Sequence, residues 1–186
     1  MNFDAMQEIQ KELEPREKLL WAGQPAQGIK LRGSDIFMVP FSVLWGGFAI
    51  FWEYSVIEKG APFFFMLFGV PFVFVGLYIM LGRFYVEAKQ RGTTFYGVSN
   101  ERVIIASGLF RKKVKSLNLR TLTDISLSES SNGIGTISFG NTSPFTTMFG
   151  GMPWPGMEQY MGPSFDLISN AKQVYQQIRE AQRNAT

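Results

Sequence analysis

Cysteine and histidine are both absent from the 186-residue chain. Without cysteine there are no disulfides, no thiol nucleophiles and no thiolate metal ligands. Without histidine there is no imidazole ligand, and the side chain that most often moves protons near neutral pH is missing. Carboxylates are few, 15 in all, and Asp124, Glu129, Glu158 and Asp166 are scattered rather than paired. No catalytic acid–base pair, metal site or cofactor site is therefore expected, and the chain reads as a non-enzyme. The start does not read as a cleavable leader either. The first 20 residues carry Asp4, Glu8, Glu12, Glu14 and Glu17 and no apolar run. Phe3, Met6, Ile9 and Leu13 instead recur at helical spacing, predicting a short amphipathic helix that stops at Pro15.

Charge is thin as well, at 18% of residues, and two strongly apolar stretches have none. Ile36–Trp52 runs 17 residues without a charge and Ala61–Leu81 runs 21. As helices they reach about 26 and about 32 Å, against a hydrocarbon core of about 30 Å. They predict two membrane spans joined by the eight-residue connector Glu53–Gly60, hence a tight antiparallel hairpin. Lys30 and Arg32 precede the first span, and Arg83, Lys89 and Arg91 follow the second. Excess Lys/Arg marks the cytoplasmic side. The connector is therefore expected to point outward and both termini to be cytoplasmic. Gly46, Gly47, Gly69 and Gly76 would let the spans approach closely, and Pro40 and Pro71 would kink them. No ionisable residue lies within either span, which argues against transport.

What the chain does have is an uneven distribution of charge. Residues 83–120 carry nine basic and two acidic side chains, whereas residues 121–186 carry three and five. Arg111, Lys112, Lys113 and Lys115 concentrate the excess. On a strand, Arg111, Lys113 and Lys115 would share one face and Val114 the other. They would meet an anionic lipid surface, an acidic partner protein, or only water. Nucleic acid is not expected, because the run lacks interleaved aromatics and the domain is tethered.

Past Gly92 short strands are predicted at Thr93–Val98, Arg102–Ser107, Phe110–Leu119, Thr123–Ser128 and Ile134–Phe139, with a sixth near Gln159–Met161. Ser131-Asn132-Gly133 is the strongest hairpin signal among them. A C-terminal helix over 164–183 is predicted, with Ser164 as its N-cap and Phe165, Ile168, Ala171, Val174 or Tyr175, Ile178 and Ala181 as its apolar stripe. Gly133-Ile-Gly135 lacks the lysine of a phosphate loop. Asn141-Thr-Ser143 carries no meaning as a glycosylation acceptor on the cytoplasmic side.

The Trp21-Ala-Gly23-Gln-Pro25 element, the hairpin, YGVSNERVIIASGLFRKKVKSLNL and GIGTISFG together resemble bacterial membrane proteins of the pleckstrin-homology-like family. The family's T/S-N-x-R turn is matched by Ser99, Asn100 and Arg102. The resemblance covers most of residues 18–183. It implies two curved antiparallel sheets capped by a C-terminal helix, with oligomerisation or scaffolding in place of a common ligand. The expected organisation is an N-terminal segment (1–34), a transmembrane hairpin (35–82) and a pleckstrin-homology-like domain (83–186).

Residues 141–163 depart from that pattern. Met148, Phe149, Met152, Trp154 and Met157 make this long loop apolar, and adaptable Met and aromatic side chains fit a partner-binding surface. The function expected is an accessory or scaffold subunit of a larger membrane assembly, or a homo-oligomer. A membrane-surface sensor of anionic lipid is the alternative, and an enzyme or transporter is remote.

Overall fold

The first strand of the folded domain lies ahead of the apolar runs. A computed structural model describes residues 2–30, 35–109, 111–140 and 162–185. Its elements are α1 (Phe3–Gln10), β1 (Leu19–Gly23), α2 (Asp35–Glu58), α3 (Phe63–Leu77), α4 (Arg83–Gly92), β2 (Phe95–Ser99), β3 (Arg102–Ser107), β4 (Lys113–Asn118), β5 (Ile125–Glu129), β6 (Ile134–Phe139), β7 (Ser164–Ser169) and α5 (Ala171–Ala185). A π-helical turn, Tyr78–Gly82, joins α3 to α4, and a 3-10 turn, Leu119–Thr121, follows β4.

The strands form two antiparallel sheets, β1-β2-β3-β4 and β5-β6-β7. β1 pairs with β2, Trp21 opposite Val98 and Gly23 opposite Tyr96. The domain boundary expected at residue 83 thus cuts through the sheet, because the helical hairpin is inserted between two neighbouring strands. Trp21 turns inward and its ring lies over Gly23, where a Cβ would sit 2.5 Å from the indole. That close approach is the physical reason for the W-x-G spacing.

The core lies between the sheets. Tyr96, Val98, Val103 and Ile105 from one sheet meet Ile137, Phe139, Phe165 and Ile168 from the other. Phe165 sits at its centre, stacked on Tyr96 at 4.6 Å and edge-on to Phe139 at 5.0 Å. Val174, Ile178 and Ala181 of α5 close one end of the core. On one flank the sheets are linked by the Ala26 N–H, which donates to the Leu167 carbonyl at 2.8 Å.

Two expectations about the C-terminus are corrected. Ser164 is not a helix cap: Ser164–Ser169 is a strand on β6, and the helix begins at Ala171. The helical spacing of Phe165 and Ile168 misled because the strand is irregular. Leu167 has φ 51° and the register slips opposite Gly135/Ile137, so residues three apart both turn inward. The predicted strand near Gln159–Met161 lies outside the described residues. At the other terminus, α1 ends at Gln10, short of Pro15. Its buried pair is Ala5 and Ile9, and Phe3 is exposed.

α2 spans 24 residues and the continuous helix Phe63–Gly92 spans 30, each long and apolar enough to cross a membrane. Only 22% and 11% of their most apolar windows are buried in the fold. Phe37, Leu44, Phe48, Phe51, Phe64 and Phe74 face outward, so these are not core helices of this domain. The two helices touch where Gly46 meets Gly76: a Cβ on Gly76 would lie 2.8 Å from the Gly46 Cα. The expected connector is shorter than drawn. Glu53 lies inside α2, with its carboxylate packed over Gly69, and the turn between the helices is confined to residues 59–62.

Candidate functional site

The antiparallel order fixes which loops share an end of the sheet. β1 leaves the sheet at Gly23, opposite Tyr96, and β2 enters at Phe95, opposite Ala106. β3 leaves at Ser107, opposite Lys113 of β4. Gly108 and Leu109, which follow β3, and Arg111 and Lys112, which precede β4, are therefore carried at the same end of the sheet as both roots of the hairpin. Gly108, at φ 151°, makes the turn between β3 and β4 possible: a Cβ there would collide with the Arg111 carbonyl.

The structure divides the four cations of the basic run. Lys113 and Lys115 share a face, as alternation predicts, opposite Ser107 and Ile105 at the open edge of the sheet. Arg111 precedes the strand, in the turn, and is exposed. Among the described residues these three make no ion pair. Lys112 goes elsewhere. Its ammonium lies 2.6 Å from Glu12 Oε1 and 3.4 Å from Glu8 Oε2, against α1. The hydrogen bond to Glu12 is the main cause that raises the Lys112 pKa, overcoming burial. Glu8 is lowered, first by its hydrogen bond with Lys11 and, against burial, by Lys112. The partner-loop residues Met148, Phe149, Met152, Trp154 and Met157 lie outside the described residues.

A second cluster explains the Ser-Asn-x-Arg turn between β2 and β3. Arg102 donates from Nε and Nη2 to the two carboxylate oxygens of Glu17, at 3.0 and 2.9 Å. Its Nη2 also reaches the Glu12 carbonyl at 3.0 Å, and Nη1 lies 3.2 Å from Glu14. The Ser99 hydroxyl donates to Glu17 at 2.5 Å and accepts from the N–H groups of Glu101 and Arg102. Asn100 exchanges two hydrogen bonds with the Lys18 backbone. Together these contacts pin the chain just ahead of β1 onto the β2–β3 turn. The Glu17 side chain is 1% exposed. Burial alone would raise its pKa, but hydrogen bonds from Arg102, the Glu14 N–H and Ser99 outweigh burial and hold the carboxyl low.

That direction sets a pH dependence. A carboxyl held low in the folded state contributes stability above its ordinary range and loses it as pH falls through the folded value. Thermal midpoints of the detergent-solubilised chain, measured from about pH 7 to about pH 3, should fall on acidification. A Glu17→Gln variant should start lower and show a shallower fall.

The third cluster lies at the root of the hairpin. Arg83 pairs with Asp35 at 2.8 Å, with side chains 3% and 8% exposed. One turn on, Glu87 pairs with Arg91 at 3.1 Å, and Arg91 Nη2 donates to the Gly28 carbonyl at 2.8 Å. Gln27 donates to the Arg91 carbonyl at 3.1 Å. Arg83, Glu87 and Arg91 are thus the buried stripe of α4 and fasten it to the strand linker. The sequence reading used Arg83 and Arg91 only as topological charges. The signal for their pairing was the +, −, + pattern at intervals of four residues directly after an apolar run.

These features can now be set against known proteins. The family model described as Bacterial PH domain matches residues 41–182. The chain belongs to that family. The matched region of this bacterial PH domain protein takes in most of the hairpin and every strand from β2 onward. β1 and the Glu17 segment precede it, yet both are bound into the same sheet. No curated protein and no solved structure matches the chain. Among the described residues no group of three or more potential ligands could hold a metal ion.

Proposed function

We propose that this protein is a non-enzymatic membrane scaffold: a bacterial PH domain fixed to the bilayer by a hairpin inserted between its first two strands. It serves as an accessory subunit of a larger membrane assembly or as a homo-oligomer. The observation that carries the reading is the outward apolar surface of α2 and α3, on helices that its own domain does not cover. Such a surface requires lipid or other membrane helices. Lys30, Arg32, Lys89 and the basic turn, all near the hairpin's roots, favour a cytoplasmic domain at the bacterial inner membrane with both termini inside.

The loop with Met148, Phe149, Met152, Trp154 and Met157 is assigned to partner docking on composition. Its Trp and Met side chains are the kind that anchor interfaces. The test is purification from membranes in mild detergent, with mass measured in solution. A stable oligomer or a stoichiometric companion is expected, and it should be lost in Trp154→Ala with Met152→Ser while the protein stays folded and membrane-bound. A folded, strictly monomeric protein without a companion would sink the scaffold reading.

A second reading has its own observation. The turn with Arg111 and Lys112 shares the hairpin's end of the sheet. If the hairpin spans the bilayer, this turn meets the cytoplasmic leaflet, where each cation near an anionic surface gains about 1 kcal/mol. Lys113 and Lys115 continue the basic edge away from it.

A further inference from the structure

α1 lies across the outer face of the β1–β2 pair, with Ile9 reaching Ile104 and Ala106 of β3, and it reaches the basic turn. Only Ala5 and Ile9 of the helix are buried. Ile9 fits the space that Gly97 leaves open, where a Cβ would collide with it, and packs with Ile104 and Ala106. Beyond these apolar contacts, the helix is tied to the basic turn by Glu8 and, just past its end, Glu12, both on Lys112. Lys11 is also paired with Glu8. A helix of eight residues is marginal on its own, so its place depends on Ala5 and Ile9, on the hydrogen bond that Asn2 donates to Gln24 at 2.8 Å, and on ion pairs that salt and competing charges weaken. The Arg102–Glu17 cluster lies between α1 and β1 and holds the chain from the Glu12 carbonyl onward, so that in displacement the Glu12 side chain turns away from Lys112 while its backbone stays pinned. α1 can therefore leave without β1 leaving the sheet.

We propose that α1 is a built-in acidic competitor for the basic turn: it masks Lys112 with Glu8 and Glu12, and an anionic phospholipid surface displaces it. The inference rests on the reading that Arg111 and Lys112 meet the leaflet. Carboxylates and lipid phosphates then seek the same ammonium group. Asp4, Glu8 and Glu12 give the α1 segment an acidic excess over Lys11, so a negative leaflet also repels the strap that it displaces. Arg111, in the same turn and unpaired among the described residues, makes the first contact with the surface. The lowered Glu8 and raised Lys112 are in keeping with a charge pair that an opposing anion must break.

The absence of cysteine makes the test clean. Gln7→Cys and Gln176→Cys, both at exposed positions, carry spin labels on the full chain in liposomes. Phosphatidylcholine vesicles should give one narrow distance between α1 and α5. Adding phosphatidylglycerol should populate a longer, broader one, raising the released-to-docked ratio about fivefold for one lysine's worth of surface attraction. Lys112→Gln should remove most of that lipid dependence. In parallel, a fluorophore on Leu109→Cys reports whether the turn meets lipid-borne quencher. Quenching with an unchanged distance distribution overturns the competition and leaves lipid contact standing. No quenching in phosphatidylglycerol vesicles overturns both.

Discussion

Arg102→Ala is expected to lower the thermal midpoint of the full chain by about 10 °C. The guanidinium satisfies both oxygens of a Glu17 carboxylate that is 1% exposed. Removing one partner of a buried ion pair strands the other and costs about 3–5 kcal/mol. For a chain of this length each kcal/mol moves the midpoint by about 2–4 °C. Arg102→Lys should recover only part of the loss, because a single ammonium cannot replace the two-pronged contact with Glu17 or the bond to the Glu12 carbonyl. Arg102→Ala combined with Glu17→Leu should be milder than Arg102→Ala alone, since no buried charge is then left unpaired. The readout is circular dichroism through a temperature ramp. A double variant as unstable as Arg102→Ala would mean that the guanidinium acts through packing rather than through the carboxylate.

Asp35→Asn is expected to have a comparable effect at the opposite junction. Arg83 is 3% exposed and held against Asp35 at 2.8 Å where the two helices enter the domain. Neutralising the carboxyl leaves a buried guanidinium with its charge uncompensated, again about 3–5 kcal/mol. Asp35→Leu with Arg83→Leu should restore most of the stability in detergent. The helical signal on heating reports the loss. Proteolysis of the linker around Gly28 reports whether α4 has come loose, because Arg91 holds the Gly28 carbonyl from the same helix. If the double variant is no better than Asp35→Asn, the pair is not what fixes the hairpin to the domain.

The hairpin and most of the meander are legible in the sequence because their signals are local. Two charge-free runs, an Asn-Gly turn and alternating Val103 and Ile105 need no knowledge of distant contacts. The observed β3 and β6 have the predicted bounds, Arg102–Ser107 and Ile134–Phe139. What escaped depends on partners far away in the chain. β1 is a strand because it pairs with β2 across the whole hairpin insertion, and Leu19–Gly23 alone carries no alternation strong enough to say so. β7 was hidden by a bulge at Leu167 that gives a strand the spacing of a helix. The basic run was visible, but its division was not. Lys112 turns to α1 because Glu8 and Glu12 lie over it in space, about a hundred residues away in sequence. The Ser-Asn-x-Arg turn was likewise legible as a motif, while its work, binding Glu17 and Lys18, appears only with the fold.

The central claim is that the hairpin crosses the bilayer and leaves the PH domain inside the cell. It is tested most directly by labelling single cysteines in intact bacteria with a membrane-impermeant maleimide. Lys59→Cys lies in the turn between the two long helices, and Gln176→Cys lies exposed on α5. Labelling of Lys59→Cys in intact cells, with Gln176→Cys labelled only after permeabilisation, is the predicted result. Labelling of Gln176→Cys in intact cells with Lys59→Cys protected, or protection of both sites until lysis, would contradict the account.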